Sequence, residues 1–204
     1  IAYGAVSANL FTRCRLVADP LGFTNSIEGS MRKAYNLTSE IIPYNKLAFV
    51  PKTAKTDRSI AVEPLLNSFV QKGIDETLRL FLKRAGLDLS DQSENQTMAR
   101  KGSYDDADGY VTIDLSSASD SISISLVRFL LPPDWFALLN ATRSKSYSYR
   151  KTRKVYEKFC SMGNGFCFPL QTLLFSSVCQ AAGADRRNAD YRVYGDDIIV
   201  RKRF

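Results

Sequence analysis

Tyr191-Arg192-Val193-Tyr194-Gly195-Asp196-Asp197-Ile198-Ile199-Val200 is the stretch that decides the fold. Two runs of aromatic and β-branched residues flank Gly195-Asp196-Asp197, whose residue types tolerate unusual turn angles. The pattern predicts an antiparallel hairpin carrying two carboxylates at its tip. Neighbouring ionised carboxylates repel, and a buried hairpin is a costly place for them unless a cation offsets the charge. Turn chemistry alone also accommodates Asp at such a tip.

Upstream, Tyr110-Val111-Thr112-Ile113 reads as a strand with Asp114 at its end. Topology can bring that end beside the hairpin, making a cluster of Asp114, Asp196 and Asp197, whose oxygens suit Mg²⁺. Asp114 can equally serve as a helix cap, because Ser116, Ser117 and Ser119 follow as a helix opens. That helix is expected to present an apolar stripe of Ile122, Leu126, Phe129 and Leu130. Pro132-Pro133 ends it and starts another through Trp135, Phe136, Leu138 and Leu139.

Helical spacing of Leu65, Leu66, Phe69, Ile74, Leu78, Phe81 and Leu82 predicts a helix from Pro64 to Ala85, stopped by Gly86. A further helix is expected from Phe168 to Ala182, closed by Gly183. Leu47-Val50 and Arg58-Val62 read as strands on either side of a basic loop, and Gly102 to Gly109 as a surface connection. The first 45 residues, with Gly22, Asn25, Ser26 and Gly29, support few assignments. The mixed order suits an α+β fold. Val200 is expected at an exposed sheet edge, with the aggregation hazard that open edges carry.

Twenty-eight Lys and Arg against 21 Asp and Glu leave a charge of +7, which modestly favours a polyanionic partner. There is no histidine, so Ser-His and Cys-His nucleophiles and His-based zinc hydrolases are excluded. Cys14, Cys160, Cys167 and Cys179 form no CxxC pair and read as buried thiols. No apolar run approaches the roughly 20 residues needed to span a bilayer, so no membrane partner is expected. The chain starts at Ile1 and stops just past the decisive hairpin. It is expected to be an internal piece of a longer protein, weakly active or inactive in isolation.

Two basic clusters stand out. Lys52, Lys55 and Arg58 recur every third residue between the first two strands, a spacing suited to a triphosphate or to a solvated loop. Residues 143–158 carry Arg143, Lys145, Arg150, Lys151, Arg153, Lys154 and Lys158, with Tyr147, Tyr149 and Tyr156 between them. Lys151, Arg153 and Lys154 are candidate RNA-phosphate contacts and Tyr147 or Tyr149 candidate base-stacking rings; a merely soluble hairpin is the alternative.

Tyr194-Gly195-Asp196-Asp197-Ile198-Ile199, Asp114 to Ser123 and Ser161-Met162-Gly163-Asn164-Gly165-Phe166 resemble palm motifs C, A and B of viral RNA-directed RNA polymerases. The nearest likeness is to the replicases of levivirus-like positive-strand RNA bacteriophages. Val50 to Arg58 resembles the basic finger motif F of those replicases, and Leu130 to Phe136 follows their pattern too. The similarity runs in the correct order from about residue 45 to 200.

The resemblance implies a right-hand polymerase palm with part of the fingers, truncated before the thumb. Residues 1–104 would be a partial fingers region with motif F, and 105–204 the palm core with motifs A, B and C and the basic arm 143–158. Asp114 and Asp196 would be the principal ligands of two Mg²⁺ ions, with Mn²⁺ a substitute, and Asp197 a further ligand or support. Lys52, Lys55 and Arg58 would bind the triphosphate. Asp120 would sense the ribose 2′-hydroxyl with Asn164 as partner. Ser161, Gly163 and Gly165 would form a loop approaching template or nucleotide; many polymerases outside this phage group place Ser-Gly first and the asparagine several residues later. Reverse transcriptases usually set a bulky aromatic near the position where Ser119-Asp120 stands, so ribonucleotides are favoured.

Expected partners are RNA template and product, NTPs and host bacterial translation factors, in the cytoplasm of an infected bacterium. A two-metal nuclease or phosphatase and a noncatalytic RNA-binding fragment are the competing classes. The motif order and the candidate clamp favour template-directed polymerisation.

Overall fold

The computed structural model describes Ile42, residues 44–104 and residues 109–204. The expectations for Gly22, Asn25, Ser26, Gly29 and Cys14 lie outside these residues. The described chain is a mixture of helices and two sheets, and its contacts divide it into two compact units, each built from two separated segments. One takes in the described residues up to Gly73 and Ile122–Gly165; the other takes in Ile74–Ser121 and Phe166–Phe204. No helix among the described residues is long and apolar enough to cross a membrane.

In the first unit, β1 (Asn45–Pro51) and β2 (Asp57–Val62) form an antiparallel hairpin. Strands β4 (Ser146–Tyr149) and β5 (Thr152–Val155) make a second hairpin, and β4 joins β1 in parallel through Asn45–Tyr147 and Lys46–Ser148. The sheet order is therefore β2-β1-β4-β5. The long helix α1 (Leu65–Arg84) follows β2, and its residues from Ile74 onward count with the second unit. It buries Asn67, Val70, Gln71, Ile74, Asp75, Leu78 and Leu82, a stripe advancing by three or four residues. Phe69 and Phe81, expected on that stripe, are exposed at 63% and 48%: each sits one position off the four-residue rows of the buried face.

The helix expected after Asp114 is broken into α3 (Ala118–Ser121) and α4 (Ile124–Leu130). Between them Ser123 bridges to Lys158 and Ile122 accepts the Phe159 amide, so this backbone pairs with a strand-like segment. Ser123 then caps α4, its hydroxyl accepting the Leu126 amide, while Ser117 stands at the opening of α3, its carbonyl accepting the Asp120 and Ser121 amides. The break changes which face is inward. Ile122 and Val127 are buried, whereas Leu126, Phe129 and Leu130 are exposed, contrary to the predicted stripe. Helix α5 (Pro133–Thr142) starts at Pro133 as expected and buries Leu139, while Phe136 packs on buried Phe159 at 5.9 Å between ring centroids.

The second unit is built on the sheet β3-β7-β6, all antiparallel: β3 (Tyr110–Asp114), β7 (Asp197–Arg201) and β6 (Tyr191–Tyr194). Val200 lies on the central strand and is buried, so the expected open edge there is absent. Helix α6 (Cys167–Ala181) covers one face, where Cys179 joins Tyr191, Val193, Ile198 and Val200. Helix α2 (Ser93–Gly102) covers the other, pairing Glu94 with Arg192, whose side chain alternates away from Tyr191 and Val193. Gly102 thus ends a helix that the expected Gly102–Gly109 connection left out. Helices α1 and α6 stop at Gly86 and Gly183 as predicted, and in both cases the next amide bonds back five residues, Leu87 to Leu82 and Ala184 to Cys179. Cys160, Cys167 and Cys179 are buried and form no disulfide, and burial pushes Cys179 above the usual thiol range.

Candidate active site

The β6–β7 turn is fixed from beneath. Gly195 has φ of 66°, and its amide donates to Thr172 Oγ1 on α6 at 2.9 Å. A Cβ at this position would lie 2.3 Å from the Phe168 ring, so a side chain is excluded by space as well as by backbone angle. Phe168 meets Tyr194 edge to face at 4.9 Å, and the Arg79 guanidinium lies 5.4 Å from the Phe168 ring centroid. Asp75 holds Arg79 in place through a 2.8 Å ion pair. None of Thr172, Phe168, Arg79 or Asp75 is identifiable as a site residue from the sequence. Only their position on predicted helices, beneath a predicted hairpin, hints at the arrangement.

Above this support stand the carboxylates. Pairing of β3 with β7 sets Asp114 directly opposite Asp197, and Asp196 precedes Asp197 at the exposed turn. Partial burial first, then the charges of Asp196 and Asp114, push the Asp197 carboxyl above the usual aspartate value. Asp197 therefore feels the charge of both acidic neighbours. Among the described residues, no group of three or more His, Cys, Asp or Glu is gathered into an arrangement that could hold a metal ion. Asp120 belongs to the same unit, on the four-residue helix α3 that follows β3.

The other candidate residues belong to the first unit. Lys52, Lys55 and Arg58 are exposed on and beside the β1–β2 turn, which is closed by Lys52 and Thr53 amides donating to the Thr56 carbonyl. Ser161, Gly163, Asn164 and Gly165 form one loop. Ser161 and Asn164 are buried, and the Asn164 amide donates to the Ser161 carbonyl at 3.0 Å. Asp120 and Asn164 thus fall in different units.

Lys151, Arg153 and Lys154 are exposed on the β4–β5 hairpin, whose turn places Arg150 and Lys151 at positive φ. Arg153 lies over the Tyr44 ring at 4.1 Å. Tyr147 and Tyr149 are already engaged, the first with Tyr156 at 5.0 Å and the second with Phe49 at 5.4 Å. These contacts engage the rings expected to stack on bases, while Arg153 and Lys154 of β5 stay exposed.

A mixed α/β chain with an acidic strand turn facing a second strand-borne aspartate matches the family model described as RNA replicase, beta-chain, over residues 22–204. The chain belongs to that family. It is 47% identical over 167 residues to the RNA-directed RNA polymerase subunit beta of Escherichia virus Qbeta, covering 79% of this chain and 28% of that protein. The corresponding protein of Enterobacteria phage SP gives the same figures. With the RNA-directed RNA polymerase beta chain of Escherichia phage MS2 the identity is 42% over 168 residues, 81% of this chain and 30% of the relative. The chain thus spans about three-tenths of the length of these relatives.

Proposed function

We propose that this chain carries the catalytic centre of an RNA-directed RNA polymerase. In the complete protein it would join ribonucleotides from NTPs to an RNA 3′-hydroxyl on an RNA template, releasing pyrophosphate, for viral genome replication. The observation that carries this reading is the strand register that sets Asp114 across from Asp197, one residue from Asp196. In this reading residues 105–204 are the palm core and residues 1–104 a partial fingers region.

The fit to divalent cations rests on donor chemistry: three carboxylates on two paired strands and the turn beside them, with the Asp197 carboxyl raised by partial burial first and then by the charges of Asp196 and Asp114. Asp114 and Asp196 would hold two Mg²⁺ ions, or Mn²⁺ in their place, with Asp197 as a further ligand or support. Such ions supply a lowered pKa for the attacking 3′-hydroxyl and offset the charge developing on pyrophosphate. Thr172 and Phe168 keep the turn from rotating. Lys52, Lys55 and Arg58 would neutralise the triphosphate, with Arg58 offering a planar donor fork.

Asp120 with Asn164 would recognise the ribose 2′-hydroxyl, rejecting deoxyribose by leaving polar groups unpaired. Ser161, Gly163 and Gly165 would border template or nucleotide, and Lys151, Arg153 and Lys154 would contact RNA phosphates. Host bacterial translation factors are the proposed protein partners, in the cytoplasm of the infected cell.

The decisive experiment replaces Asp196 with Asn in the complete replicase. Template-dependent pyrophosphate release should fall by at least about 10³-fold, while RNA retention on a filter stays within about twofold of the parent. Substantial Mg²⁺-dependent synthesis by Asp196→Asn would refute the assignment. Release of mononucleotides from RNA without synthesis would point to the nuclease class.

A further inference from the structure

A buried polar junction in the first unit adjoins the Ser161–Gly165 loop and has no role so far. Glu63 is 7% exposed, and around it Asn45, Ser144 and Ser161 are 1%, 3% and 5% exposed. Glu63 Oε1 accepts from Asn45 Nδ2 at 2.9 Å and from Ser161 Oγ at 3.5 Å, and Oε2 accepts from Ser144 Oγ at 2.5 Å. Asn45 Nδ2 also reaches Ser161 Oγ at 3.2 Å, and Asn45 Oδ1 accepts from Tyr156 at 2.8 Å. A buried carboxylate is tolerated while its donors and a nearby cation, here the buried Arg143, stay in place, so this network favours one position of Ser161 over others.

The loop is held at two more points. The Ala61 amide donates to the Met162 carbonyl at 2.7 Å, and a Cβ on Gly163 would stand 2.1 Å from the Ala61 carbonyl oxygen. The Gly165 amide donates to Gln71 Oε1 at 2.9 Å, and Gln71 Nε2 is itself anchored on the Thr142 carbonyl at 2.9 Å. Ser161, Met162, Gly163 and Gly165 therefore all rest on the segment from Ala61 to Gln71. That segment starts within β2, whose first residues, Asp57 and Arg58, stand beside the cationic turn.

We propose that Glu63 is a positioning residue for sugar selection. Its carboxylate seats the Ser161–Gly165 loop on the end of β2, and β2 keeps that seat in register with the hairpin bearing Lys52, Lys55 and Arg58. This rests on the polymerase reading for what the loop and hairpin bind. The seating itself is a matter of the first unit alone. Glu63 touches neither nucleotide nor metal in this assignment and acts on the loop through Ser161, both directly and by way of Asn45.

The test uses Glu63→Gln and Ser161→Ala in the complete replicase. Glu63→Gln keeps the shape of the side chain but sets an amide group among donors, and Ser161→Ala removes the loop's own link. Amide hydrogen exchange of the 161–165 peptide should accelerate about tenfold in each, with the 191–201 peptide unchanged. The preference for ribo- over deoxyribonucleoside triphosphates should shrink about tenfold in each. The double variant should lose little more than either single, because both break one link.

Unchanged exchange at 161–165 in both variants overturns the proposal, and so does faster exchange with undiminished sugar preference. Where one variant unfolds or loses synthesis, the other decides by the same two readings. If both lose synthesis, exchange and the binding preference for ribo- over deoxyribonucleoside triphosphates decide. Failure of the underlying reading shows separately, as synthesis surviving Asp196→Asn.

Discussion

Thr172 serves two partners with one hydroxyl. Its Oγ1 donates to the Phe168 carbonyl at 3.1 Å and accepts the Gly195 amide at 2.9 Å, and the residue is wholly buried. Thr172→Val keeps the volume and removes the acceptor from a buried amide, which should cost about 1–3 kcal/mol in urea unfolding. Nucleotide incorporation by the complete replicase should fall by roughly tenfold or more, since the turn carrying Asp196 loses its tether. Thr172→Ser should restore both. A Val variant with parental activity would show that the turn holds its shape without the hydroxyl.

Tyr156 offers a test by pH. Burial chiefly, opposed by hydrogen bonds with Ser161 and Asn45, pushes its phenol up to about 12. An unfolded tyrosine ionises near 10, so between about pH 10 and 12 the unfolded chain has released a proton that the folded chain retains. This contribution to stability is complete below pH 10 and is lost as pH rises through that window. Tyr156→Phe should lower stability at neutral pH by about 1–2 kcal/mol, because Asn45 loses its donor. It should also flatten the alkaline decline, as read from chemical unfolding at a series of pH values.

Among the elements, the β4–β5 hairpin leaves its cations exposed while its rings are half-buried. Arg153 and Lys154 are exposed on the edge strand and Lys151 at the turn, while Tyr147 packs on Tyr156 and Tyr149 on Phe49. Replacing Lys151, Arg153 and Lys154 with Ala should weaken RNA binding and reduce the magnitude of the salt slope by about 2, the value for three phosphate contacts on single-stranded RNA. An unaltered slope would make the hairpin a solubility feature.

Legibility followed period at this scale. Helices α1 and α6 were readable because their apolar positions repeat over many turns and a glycine stops each. The break between α3 and α4 was not, since it depends on Ile122 and Ser123 pairing with Lys158 and Phe159 across an interval that no local pattern records. The fixed seat of Gly195 was hidden for the same reason. Thr172 looks like any small polar residue on a helix until the hairpin is laid over it.

At the scale of the whole molecule, the sequence order of motifs and the division into compact units do not coincide. Asp114 stands opposite Asp197, the residue after Asp196, because β3 and β7 pair, and the hairpin from 45 to 62 joins the 143–158 arm because β1 and β4 run in parallel. Hydrophobic periodicity predicts the strands but carries no information on which distant strand each will choose. The parallel pairing of β1 and β4 was the least legible feature, since no turn connects them.

Interleaving also has a consequence for synthesis. The ribosome delivers β1 on the order of 100 residues before β4, roughly 5–20 s at elongation rates of about 5–20 residues per second. Throughout that interval the side of β1 that will receive β4 is an unpaired edge, and β3 likewise waits for β7. The nascent chain is therefore committed to a period with open strands that no choice of local sequence can shorten. Translation speed across the stretch from Lys52 to Lys145 is the variable that sets how long the edge of β1 is open to wrong pairing.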